Sequence, residues 1–228
     1  MAANNTKTFR KEWNANQKKL RNNLENVDRV EQSITLYLPH HAVLHSVAVT
    51  ETATWSYFDD LLQDLTGEQM RLVPENEDHS IAWMIWHMAR IEDVAMNMLV
   101  MGTPQILHQG SWLEQMQMNY HHTGNETSAH DLEQLNATID IDALLAYRLA
   151  VGQRTQAIVR GLQAVDMTRK VDPKRIEQVL ADGAIMEAAS SITDYWSKRN
   201  IAGILLMPAT RHNMVHLNEI EKVKRKVM

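Results

Sequence analysis

Eleven histidines and no cysteine define the chemistry open to this chain of 228 residues. Without thiols there is no disulfide frame, no Cys-ligated metal and no cysteine nucleophile. Residues 209–219, ATRHNMVHLNE, carry His212 and His216 four apart. On a helix that spacing puts both imidazoles on one face, within reach of a single ion. His87 lies in HSIAWMIWHMARIED, among Met84, Ile85, Met88 and Ile91. A polar ring on so apolar a face needs a partner, because a buried group left unsatisfied costs about 1–3 kcal/mol. Three imidazoles from two packed helices would make a three-ligand site. Its fourth position would stay open to water or substrate, as in catalytic zinc centres. Plainer readings stand beside this one. An i, i+4 histidine pair on an exposed helix usually binds nothing, and a lone histidine among apolar residues is more often hydrogen-bonded within a core. His41 and His45 repeat the same spacing, and His40–His41 and His121–His122 add further rings. Spacing does not choose among these pairs.

Sharper motifs are missing. Asn213 stands where an HExxH protease needs its glutamate, and no Glu-x-x-His occurs for a carboxylate-bridged di-iron bundle. No Walker loop, GxGxxG or GxSxG is present. Glu219 lies one turn beyond His216 and is a candidate outer acceptor for a ligand ring, with a surface ion pair as its plainer reading. Glu92, Asp93, Arg90 and Arg211 are read as surface ion pairs and solvated faces. Trp83 and Trp86 are read as packing, and Tyr195, Trp196 and residues 102–139 as pocket walls.

The elements that must hold these side chains are helical. Hydrophobic residues make up 44% and charged residues 22%, an ordinary globular composition. Only eight Gly and five Pro argue against a loop-rich or all-β fold. The net charge of −5 implies no broad basic surface, so nucleic acid is not an expected partner. Residues 1–10 are polar, and the uncharged run 32–50 is broken by Pro39 and several His, Ser and Thr. Neither a signal peptide nor a membrane span is expected, and the cytoplasm is the expected location. Apolar spacing predicts helices over 8–25, over a segment N-capped by Asp28 and broken at Pro39, and over 40–49. It predicts another over 54–65, stopped by Gly67. The strongest spans 80–101, capped by Asp78 or Ser80 and ended by Gly102 and Pro104. Residues 102–139 are the least periodic, with only 111–119 reading as a short helix. Helical spacing returns over 140–163, from Asp172-Pro173, over 185–196 and over 200–226, the last kinked at Pro208.

SIAWMIWHMARIED and RHNMVHLNEI together resemble the signatures of the DinB-like proteins, as does their order: one His early, a long connection, then His-x-x-x-His in the last helix. The resemblance implies an all-α four-helix bundle over residues 50–228, with a long crossover between the second and third core helices. Residues 1–49 become a helical extension packed on that bundle. It implies a divalent metal on His87, His212 and His216, with zinc first and nickel, iron or manganese as alternatives. It also implies a bacterial metal-dependent S-transferase that moves a low-molecular-weight thiol to an electrophilic small molecule. A non-catalytic metal- or ligand-binding stress protein stays open, as does a three-His iron oxygenase. A fourth ligand from His41 or His45 would favour a structural site. A homodimer through an apolar helix face is compatible with each.

Overall fold

The computed structural model describes residues 2–228, with side chains from residue 6 onward. Helix α1 (Ala2–Asn23) buries Trp13 and Leu20 on one face, and Leu24 follows on the same stripe. The next helix is not capped by Asp28. Asn26 instead accepts from the Asp28 N–H and closes a 3₁₀ turn, Val27–Arg29, from which α2 (Val30–Ala42) continues. Pro39 lies inside α2 without ending it. Past Ala42 the chain turns, and only Val47–Val49 is helical again, as a 3₁₀ turn. Helix α3 (Tyr57–Leu62) is shorter than its apolar spacing because Ser56 caps it, accepting from the Asp59 N–H. Gly67 opens a helix rather than stopping one. Thr66 and Gln69 form a reciprocal capping box on α4 (Gly67–Arg71), which outweighs the weak helix preference of glycine.

Ser80 caps α5 (Ile81–Asp93), in which every residue is buried. The rod runs on as a π-helix, Val94–Met101, and ends at Gly102 with φ +69°, a left-handed stop. The crossover holds α6 (Trp112–Gln115) and also α7 (Ala129–Thr138), a helix the spacing did not reveal. Only Leu135 of α7 is buried, so it carries almost no apolar stripe. Asp140 caps α8 (Ile141–Gly161). Three short helices follow: α9 (Ala164–Thr168), α10 (Pro173–Ala181), which Asp172 caps as expected, and α11 (Ser190–Ser197). The last rod is α12 (Ile201–Leu206), a π-helical turn over Met207–Arg211, and α13 (His212–Val227).

Helix α5 packs against α8 on one side and α13 on another, while α2 lies against α1 and α8. The result is an all-α bundle; among the described residues the only β pairing is an isolated bridge, Lys170 to Asn200. Two apolar clusters fill it. Trp13 and Leu44 join Tyr57, Trp86, Leu144 and Leu217 in one. Leu20, Leu24 and Tyr37 join Val94, Ile158 and Ile204 in the other. Residues of α1 thus supply part of both, and α2 supplies part of the second.

The kink in the last rod is repaired from α1. Proline has no N–H to donate to the carbonyl four residues back, and the regular ladder breaks into a π-helical turn here. The Leu206 carbonyl accepts from Gln17 Nε2 at 2.7 Å and from Thr210 Oγ1 at 3.0 Å. Among the described residues, no helix is long and apolar enough to cross a membrane.

Leu20 is fully buried between α1 and the bundle. Leu20→Ala should therefore lower unfolding free energy by roughly 2–5 kcal/mol in urea titration, with a single transition retained. A loss under about 1 kcal/mol would show that α1 is a loosely attached appendage.

Candidate metal centre

The three histidines that the sequence singled out meet between α5 and α13. His212 Nε2 lies 3.0 Å from His87 Nε2 and 3.2 Å from His216 Nε2. The outer nitrogens of two rings are anchored. His87 Nδ1 donates to the Thr123 carbonyl at 2.6 Å, and His216 Nδ1 donates to Glu219 Oε2 at 2.6 Å. With their protons held at Nδ1, both rings turn Nε2 lone pairs inward. His212 Nε2 faces both and has at most one proton to offer. Its own Nδ1 is buried without a partner among the described residues.

This donor set fits a small cation. Tetrahedral zinc with Zn–N bonds near 2.0–2.1 Å places ligand nitrogens roughly 3.3 Å apart. The observed spacings fall within a few tenths of an ångström of that. Burial, with His216 close by, pushes the His87 ring down to about 3. Burial and the two neighbouring rings hold His212 well below the usual histidine range. Both are neutral at pH 7, the form that ligates. The hydrogen bond from His216 holds Glu219 below the ordinary carboxylate range.

Trp83 covers the His87 ring at 4.8 Å, nearly parallel, and His79 stacks on the other part of Trp83 at 3.6 Å. Trp83 is thus a wall of the centre, whereas Trp86 packs within the core. His212 also borders a cavity of about 190 Å³, enclosed by Ile91, Asn125, Tyr195, Trp196 and Pro208. Tyr195 and Trp196 therefore stand where the sequence reading put them.

The rival pair goes elsewhere. His41 Nε2 meets Glu92 Oε1 at 2.8 Å and His45 Nε2 meets Oε2 at 3.1 Å, all three side chains fully buried. Asn213 Nδ2 donates to the same Oε2 at 2.6 Å. Glu92 is therefore no surface ion pair. These side-chain types could also hold a metal ion, yet the surrounding hydrogen bonds assign them another state. Gln156 Nε2 donates to the Leu38 carbonyl and also to His41 Nδ1 at 3.0 Å. That leaves the His41 proton on Nε2, pointing at Glu92. Burial alone would raise the Glu92 carboxyl, but the facing His45 and His41 hold it well below its ordinary value. Burial lowers His45 to about 4. Helix α8 approaches this pair so closely that a Cβ at Gly152 would lie 2.6 Å from His45 Nδ1.

Arg90 and Asp93 are likewise interior, not solvated. Arg90 donates to the His121 carbonyl, to Gln105 Oε1 and to Tyr147 Oη. Asp93 accepts from Tyr147 Oη at 2.6 Å and from the Ile106 and Leu107 N–H groups. Together they fasten the crossover to α5, and two residues past His121 the same crossover delivers the Thr123 carbonyl to His87. Arg211 is half-buried, lies over the Trp13 ring and donates to Asn14. Spacing could not reveal Thr123, a backbone acceptor. Glu92 did leave a signal: its helical neighbours Met88, Ala89, Ala95 and Met96 are all apolar.

The family model of the DinB superfamily matches residues 52–220, a span that includes all three converging histidines and excludes α1 and α2. No curated protein matches the chain.

Burial holds His40 at about 3, His45 at about 4 and His87 at about 3, against 6.5 when unfolded. The unfolded chain therefore takes up protons first, and stability falls as pH drops from 6.5 toward 4. Three such groups give a slope of up to roughly 4 kcal/mol per pH unit. Urea titrations of metal-free protein between pH 7 and pH 4 should show this loss. A flat profile would mean that these rings are solvated.

Proposed function

The chain belongs to the DinB superfamily, and on that premise we propose that it is a divalent-metal-dependent enzyme. His87, His212 and His216 hold one ion, zinc before nickel, iron or manganese. The reaction moves a low-molecular-weight thiol to an electrophilic small molecule. The observation that carries the metal is the inward facing of Nε2 lone pairs whose outer nitrogens are already committed to Thr123 and Glu219. Among the described residues no fourth His, Asp or Glu joins the group, and His41 and His45 are turned to Glu92. Three protein ligands with an open side are the pattern of catalytic centres, whereas structural zinc is closed by four.

A divalent ion in this place supplies positive charge that favours the thiolate form of a thiol, whose free pKa is near 8.5. The remaining work falls to the protein. Glu219 and the Thr123 carbonyl keep each ring proton on Nδ1 and fix the orientation of the rings. Trp83 shields the His87 ring from water. Tyr195, Trp196 and Pro208 give the small cavity beside His212 an apolar wall against which a substrate carbon can rest.

Elemental analysis of protein purified without an affinity tag tests the first step. Wild type should carry about one equivalent of metal, and His87→Ala and His216→Ala should each lose most of it. Loaded wild type should then consume thiol in the presence of an electrophile, and neither variant should. If wild type takes up no zinc, nickel, iron or manganese, the enzyme reading falls. Metal uptake without thiol consumption would leave a non-catalytic binding protein. Oxygen uptake with iron and not with zinc would identify an oxygenase.

A further inference from the structure

A concave groove of about 600 Å³ lies between α1, the Lys170 strand-like bridge and the start of the last rod. Arg21, Lys170, Lys198, Arg199 and Arg211 line it, against a single carboxylate, Glu25. In a chain of net charge −5, five cations around one cavity depart from the overall balance. None of the five is in an ion pair among the described residues. Glu25 is already engaged, accepting from Asn200 Nδ2 at 2.9 Å. Arg199 is held in place by its guanidinium lying 4.1 Å over the Tyr195 ring. Its Nε is buried without a partner among the described residues. That nitrogen is covered by protein, so an anion in the groove meets the terminal guanidinium nitrogens instead.

Other features carry less. In the buried Glu92 cluster both carboxylate oxygens are already engaged. The cavity around Gly102, His108 and Asp182 mixes charges without a clear preference.

We propose that this groove binds a small molecule bearing two or more negative charges on phosphate or carboxylate groups, seated on Arg199 and Arg21. The volume suits a small ligand, and guanidinium forks match both anions with two parallel hydrogen bonds. Tyr195 and Met207 also line the cavity that borders His212. The groove therefore adjoins the cavity beside His212, with Tyr195 and Met207 between them. Binding in the groove stands without the metal; its service as the substrate anchor rests on the function proposed above. Gln17 and Arg21 come from α1 and Glu25 from the turn after it, all outside the family-matched span.

Calorimetric titration of the full chain with pyrophosphate and with citrate, at constant ionic strength in sodium chloride, tests the proposal. One saturable site is expected. Arg199→Gln and Arg21→Gln should each weaken it about tenfold, the cost of one charge-assisted hydrogen bond. Arg160→Gln, remote from the groove, should leave it unchanged. Tighter pyrophosphate identifies a phosphate-bearing ligand, and tighter citrate a polycarboxylate. No saturable binding of either, or binding that Arg199→Gln and Arg21→Gln leave intact, overturns the site. His87→Ala protein separates the two readings: it should lose its metal and still bind the anion.

Discussion

A helix buried on every side cannot leave a charge unpaired, and α5 is such a helix. It carries His87, Arg90, Glu92 and Asp93 within seven residues, with Asn97 on the π-helical turn that follows. Each must find partners from another segment, and those partners dictate where the rest of the chain docks. Arg90 and Asp93 take the crossover through His121, Gln105, Ile106 and Leu107. Tyr147 brings α8 to the same pair. Glu92 takes α2 through His41, the turn after it through His45, and α13 through Asn213. His87 takes Thr123 on one nitrogen and faces His212 on the other. The polar stripe of α5 thus specifies the arrangement of a core whose apolar contacts alone tolerate repacking.

The same stripe sets the charge state of the centre. Burial keeps the rings of His87 and His212 neutral, and the fixed Nδ1 donors of His87 and His216 decide which nitrogens look inward. The π-helical turn at Pro208 lies directly before His212. Such a turn is tolerated where its freed carbonyls find other donors, here Gln17 and Thr210. Pro208 then serves twice, ending the regular ladder of α12 and forming a wall of the cavity beside His212.

How much of this was legible depended on whether a residue's partner was local. The strong helices were readable because apolar spacing and caps such as Ser80 and Asp172 are local signals. Glycine as a stop failed at Gly67, because the capping box of Thr66 and Gln69 competes with it one residue away. Helix α7 was hidden because its faces are nearly all wet. His87, His212 and His216 could be nominated from type and spacing. Choosing them over His41 and His45 required the resemblance, because both pairs share one spacing. The interior place of Arg90, Glu92 and Asp93 was misread for a physical reason. A charge is buried only when distant donors or acceptors compensate it, and those lie 13 to 121 residues away along the chain.

The buried carboxylate nearest in sequence to His87 already accepts from three side chains, and this shapes what the centre can accept. A divalent ion held by three neutral imidazoles keeps its full charge. Glu92 does not ligate it, because its two oxygens are occupied by His41, His45 and Asn213. Glu219 reaches the centre only through His216. Arg148, buried with two of its nitrogens unpartnered, adds positive charge near His212. Burial lowers it to about 10, which leaves it charged at neutral pH. Arg148 and Glu92 offset one another beside His212, so under the proposed function the preference of the open coordination position for an anionic group comes from the ion's own charge on three neutral ligands. In the function proposed above, a bundle that keeps its own carboxylates out of the coordination sphere would leave that charge for the substrate to meet.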